Sequence, residues 1–189
     1  MKKLALTAAL TLTAAPALAH TGHGAEGLVH GLAHPFLGAD HLAAMLAVGL
    51  WSGFALPRHV WGGAAAFLAA MVAGAGLGFA GVPLPGVEAM ITASVFLFGL
   101  LVVLARPGQS RALTGATLGA IALFGAFHGH AHAAEATGNA LTYVAGFLVA
   151  SAVLHGAGIL LARGFASRRA LQLLAGSGVI ASGLALIAG

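Results

Sequence analysis

The sequence predicts an all-α, polytopic membrane protein, a bundle of six transmembrane helices that remains after removal of a signal peptide. Three observations carry that expectation. Of the 189 residues 60% are hydrophobic and only 6% are charged, against roughly 25% charged in an ordinary soluble domain. Apolar runs of about 20 residues, the length that crosses a bilayer as a helix, recur along the chain. The runs are apolar on every face, whereas a membrane β-barrel alternates apolar and polar residues in segments of ~10.

The first element is the signal peptide, residues 1–19. Met1-Lys2-Lys3 is a short positive segment, and the apolar stretch 4–15 is too short for a stable span. Ala17-Leu18-Ala19 supplies the small residues of a cleavage site, so the mature chain, a single domain over 20–189, begins at His20.

Six helices follow, over residues 35–56, 60–80, 86–105, 112–133, 139–162 and 170–187. They are separated by Pro57-Arg58, Pro83-Leu84-Pro85, Arg106-Pro107-Gly108, Thr137-Gly138-Asn139 and Ser167-Arg168-Arg169, which supply helix breakers, polar residues or both. All six arginines lie in the connections after the first, third and fifth helices, and Glu26, Asp40, Glu88 and Glu135 fall on the other side. The positive-inside rule makes the arginine side cytoplasmic and puts both termini outside, in agreement with translocation by a signal peptide. Glycines at four-residue spacing, Gly49/Gly53, Gly74/Gly78, Gly115/Gly119 and Gly125/Gly129, let helix backbones approach closely.

Composition excludes several function classes. The net charge is +4, yet no basic cluster interleaved with aromatics and no phosphate-cradling motif accompanies it, so no nucleic-acid partner is expected. With no cysteine, any metal is held by nitrogen, oxygen or thioether sulfur. Ten histidines against four acidic residues is the unusual count.

Two segments place ionisable side chains inside apolar helices, where each is costly and marks a functional site by default. In His34-Pro35-Phe36-Leu37-Gly38-Ala39-Asp40-His41, proline suits the first position of the helix, so His34 sits near its cap. At ~100° per residue His34 and His41 point within about 20° of each other, with Gly38 on the same stripe. Asp40 either reaches a neighbouring helix or orients an imidazole. Met45, one turn after His41, reads as core filling.

In Phe127-His128-Gly129-His130-Ala131-His132-Ala133-Ala134-Glu135, the positions of His128, His132 and Glu135 share one helical face and His130 turns away. Two imidazoles and a carboxylate from one helix form most of a coordination shell for a divalent transition metal. His155 stands alone in the fifth helix, ~24 Å inward from Asn139, either as hydrogen-bonded core or as an inner station on a path. His20, His23 and His30 make the mature N-terminus histidine-rich, a segment suited to capturing metal, and Glu88 in the third helix is a further candidate for the same outer mouth.

The motifs His34-Pro-Phe-Leu-Gly-Ala-Asp-His41 and Phe127-His-Gly-His-Ala-His-Ala-Ala-Glu135 resemble the two signatures of the HupE/UreJ nickel/cobalt permeases. The Gly-Phe-x-x-Ala-Ser-x-x-Leu-His run ending at His155 resembles their third. The resemblance spans essentially the whole mature chain, with one departure at Ala133, where the family pattern has glycine. It implies a permease domain over 20–189 that takes up Ni²⁺ or Co²⁺ across a bacterial inner membrane to supply hydrogenase or urease. His34, Asp40, His41, His128, His132 and Glu135 carry over as its motif residues. The expected partners are the divalent ion and the lipid bilayer, with no organic cofactor. No Walker A sequence is present, so no ATPase is evident in the chain. The same donor set suits zinc, and two other classes stand beside transport: a membrane metalloenzyme or haem protein using paired histidines, and a metal sensor that moves nothing.

Overall fold

The computed structural model describes residues 25–188, which form seven helices and no strand. These are α1 (Ala25–Leu37), α2 (Ala39–Ala55), α3 (Gly62–Phe79), α4 (Val87–Leu104), α5 (Arg111–Glu135), α6 (Ala140–Gly164) and α7 (Arg169–Ala188). The chain is an all-α polytopic membrane protein. The last five helices are each long and apolar enough to cross a bilayer, and α1 and α2 qualify together, bent by 79°. The expected signal peptide lies outside the described residues.

From α3 onward every helix end falls within two residues of the sequence expectation, because proline, glycine and charge punctuate the chain there. Ser110 caps α5 by accepting from the Leu113 amide at 3.2 Å. The Asn139 side chain caps α6 by accepting from the amides of Leu141 and Thr142 at 3.0 and 3.2 Å. Gly138, at φ +69°, makes the left-handed turn that delivers the chain to that cap.

The expected first helix, 35–56, requires correction. The helix starts ten residues earlier at Ala25 and breaks at Gly38, so Pro35 occupies the last turn of α1 rather than the first turn of a span. Glu26, His30 and His34 interrupt the apolar run and hide α1 from a hydropathy reading. Packing supplies what composition lacks. A Cβ at Gly27 would sit 2.6 Å from Thr142 Oγ1 and one at Gly31 would overlap the Tyr143 carbonyl, so the bare backbone of α1 lies directly on α6.

Three close helix pairings organise the bundle. Gly27 and Gly31 meet the Asn139 cap and the first turns of α6, to residue 147, while Gly49 and Gly53 of α2 meet residues 155–162. The contacts advance in one direction, so α1 and α2 descend along α6 as one broken span and do not double back. Gly74 and Gly78 of α3 pack on Ala126 and Ala133 of α5, and Gly125 and Gly129 of α5 return the contact on Phe67 and Met71. Gly99 of α4 meets Gly176 and Ile180 of α7, in antiparallel order. Gly115 and Gly119, expected to pack, face open space.

α2 runs through the middle, packed against α3, α4, α6 and α7. Its Ala44, Met45, Ala47, Val48 and Trp51 are essentially inaccessible, and Met45 is core as expected. At the arginine-bearing end, Gln172 donates to the carbonyls of Val102 and Ala105 at 2.8 and 2.9 Å, and Arg169 to that of Val103 at 2.7 Å. These bonds supply donors at the end of α4, where the last carbonyls run out of regular helical partners and Val102 otherwise accepts only a long 3.3 Å bond from the Ala105 amide. The opposite end carries His34, His41 and His132.

Candidate metal centre

The break at Gly38 shapes the centre. Gly38 is extended, at φ −91° and ψ 119°, and a Cβ there would lie 2.8 Å from Asp40 Oδ1 and 3.1 Å from His41 Nδ1. Asp40, in the first turn of α2, accepts from the His41 amide at 2.8 Å and from His41 Nδ1 at 2.7 Å with the same oxygen. Of the two roles the sequence left open for Asp40, the geometry matches the second, orientation of an imidazole. Because a carboxylate accepts, His41 Nδ1 carries the proton and Nε2 presents its lone pair to the interior.

His34 arrives from the last turn of α1 and His132 from the last turns of α5. His34, His41 and His132 each offer a ring nitrogen, and these lie within 4.8 Å of one another. The ring centroids are 4.4 Å apart for His41 and His132, 4.8 Å for His34 and His132, and 5.7 Å for His34 and His41. Glu135 stands at the rim, its Oε2 3.0 Å from His34 Nε2 and 3.4 Å from His132 Nδ1. Phe147 closes one side, 3.7 Å from the His132 ring.

His128 lies one turn deeper on α5, its ring 5.1 Å from that of His41. It is fully buried outside the trio, with Nδ1 3.0 Å from the Phe124 carbonyl. His130 points away and bonds the Val82 carbonyl at 2.8 Å.

Besides His128, which the sequence placed among the ligands, two further candidates do not join the trio. Glu88 lines a separate hollow with Thr92, Leu186 and Ile187, because α4 pairs with α7 rather than with α5 at that end. His155 is buried on α6 and is not one of the three converging histidines. His20 and His23 lie outside the described residues. The sequence places His30 in the histidine-rich N-terminus, whereas the structure sets it on α1 beside the trio: its ring is 5.6 Å from His34, and its Nδ1 is 2.7 Å from Thr137 Oγ1. The i, i+4 spacing of His30 and His34 was the available signal, masked by the late helix start.

The arrangement is a nitrogen-rich pocket in an apolar bundle. His41 Nε2 and His132 Nε2 are buried without a hydrogen-bond partner among the described residues, and His132 Nδ1 faces only the Glu135 carboxylate at 3.4 Å. Such atoms cost ~1–3 kcal/mol each unless something fills their valence. Three converging imidazoles with a carboxylate at the edge would accept a divalent transition metal.

The family model described as HupE / UreJ protein matches residues 8–186. The chain belongs to the HupE/UreJ family. The chain is similar to Protein HupE of Rhizobium leguminosarum bv. viciae, 38% identical over an alignment of 195 residues that covers all of both chains. No solved structure matches the chain. Two of the three motifs that carried the resemblance to this family converge on the trio: His34 and His41 come from the first, and His132 with its neighbour Glu135 from the second.

Proposed function

We propose that the chain is a permease that carries Ni²⁺ or Co²⁺ across the bacterial inner membrane into the cell, to supply metalloenzymes such as hydrogenase or urease. The observation that carries this reading is the meeting of His34, His41 and His132 within 4.8 Å inside a membrane bundle. Family membership supports it. The ion is substrate, moved and not transformed, so the protein is not an enzyme.

The trio and Glu135 capture the ion at the periplasmic mouth. Imidazoles replace water in the hydration shell, and the carboxylate offsets part of the ion's charge as it leaves solvent. Asp40 fixes His41 with Nε2 forward. An inside-negative potential of about 100 mV contributes ~4.6 kcal/mol for a divalent ion, enough to drive accumulation without ATP. The arginine-bearing end is cytoplasmic in this orientation and both termini are periplasmic.

The test is uptake of radiolabelled nickel into proteoliposomes with an imposed inside-negative potential, with cobalt and zinc as competitors. Uptake that His132→Ala abolishes is expected. Correctly inserted protein that moves no ion under that potential would refute the reading.

A further inference from the structure

His155 is a histidine that the trio does not use. It is completely buried, and its Nδ1 lies 2.6 Å from the carbonyl of Ser151, one turn earlier on α6. A carbonyl only accepts, so Nδ1 carries the proton and Nε2 of the neutral ring keeps its lone pair. That Nε2 has no hydrogen-bond partner among the described residues, and neither has the Ser151 hydroxyl on the same helical face. His128 repeats the device on α5, with Nδ1 held by the Phe124 carbonyl and Nε2 buried without a partner. A phenylalanine or leucine would fill either position without leaving a nitrogen unpaired, so packing alone does not account for two histidines treated identically.

One side chain stands between them. Phe67 of α3 is fully buried, its ring 5.2 Å from that of His128 and 5.3 Å from that of His155. His128 in turn touches His41 of the trio at 5.1 Å. The rings therefore form a continuous file from the trio to the interior, interrupted only by the phenyl group. The Phe67 backbone rests against Gly125, where an added Cβ would lie 2.6 Å from the Phe67 carbonyl oxygen, so opening the file by displacing α3 would break that close contact, and turning the side chain would not. His155 lies eight residues beyond Phe147, ~12 Å further along α6 than the aromatic wall of the trio.

We propose that His155 is a second station for the divalent cation, which reaches it from His128 when the Phe67 ring swings aside. This rests on the transport reading and deepens it. Phe67 is the barrier that keeps the two stations from forming an open pore, and the Ser151 hydroxyl offers an oxygen one turn from the inner imidazole.

The experiment uses the full chain in proteoliposomes. At matched abundance His155→Leu should take up nickel at least ~10-fold more slowly than the unsubstituted protein while binding nickel at the trio within about twofold of it. Because the chain has no cysteine, His155→Cys introduces a single thiol. Its modification by methyl methanethiosulfonate should be slowed by saturating nickel, and His132→Ala in the same background should weaken that protection. A core histidine would show no nickel protection. Uptake by His155→Leu at the unsubstituted rate, or a thiol that nickel leaves equally reactive, overturns the station. If the unsubstituted protein moves no nickel, the transport reading falls, and nickel protection of the thiol still decides whether the ion reaches His155.

Discussion

Removal of the Asp40 carboxylate tests whether this residue orients a ligand or is one. Asp40→Ala deletes an acceptor 2.7 Å from His41 Nδ1 and 2.8 Å from the His41 amide. The His41 side chain is 8% exposed and that of Asp40 25%, so the bond is only partly screened by solvent. A hydrogen bond to a charged group contributes ~1.5–3 kcal/mol. Loss of an outer partner of a ligating histidine lowers metal affinity ~10–100-fold, which corresponds to about 1.4–2.8 kcal/mol. The two figures agree, and partial exposure favours the lower half, a loss of ~10–30-fold in nickel affinity. Asp40→Asn keeps an acceptor and loses the charge, so it should fall between Asp40→Ala and the unsubstituted protein. Competition against a chromogenic chelator, with detergent-solubilised protein at fixed pH, reads these affinities. Affinity of Asp40→Ala equal to the unsubstituted value would refute the orienting role. A loss as large as that of His41→Ala would make the carboxylate a direct ligand.

Three further outcomes follow from the same geometry. His130→Ala should keep nickel uptake within about twofold, since its bond goes to the Val82 carbonyl, while His132→Ala reduces uptake to background at equal membrane abundance. Gly38→Ala should impair uptake, because its Cβ would press on Asp40 and His41, whereas Gly115→Ala, which meets only open space, should be neutral in the same assay. Reporter fusions after Arg58, Gln109 and Ser167 should report cytoplasm and fusions near Gly138 and at Gly189 periplasm; a cytoplasmic C-terminus would refute the six-span topology.

Where chemistry is local, the sequence was sufficient. Gly138-Asn139 and Ser110 end and begin helices through their own backbone and side chains, so those boundaries were legible. Helical phase is equally local: it separated His130 from His128 and His132 before any neighbour was known. What the sequence could not express was partner choice. Glu88 has the right depth and the right charge for the mouth, yet α4 pairs with α7 and carries it away. The glycine pairs behave the same way, since Gly74/Gly78 and Gly125/Gly129 face each other across α3 and α5 while Gly115/Gly119 face nothing.

The largest misreading, the straight first helix, bears directly on how the centre forms. In a continuous helix His34 and His41 would share a stripe but stand seven residues apart, ~10.5 Å along the axis, too far for one ion to touch both. The 79° bend at Gly38 folds that stripe in on itself and brings the rings to 5.7 Å. His132 then lies between them, closer to each than they are to one another. Asp40 turns inward at the first turn the new helix offers, where its charge is also favoured by the helix N-terminus. Gly38 is therefore the residue on which convergence depends, through the room its missing side chain leaves for the Asp40–His41 pair. A motif that looks like two histidines on one helical face is a hinge that makes two helices supply one site.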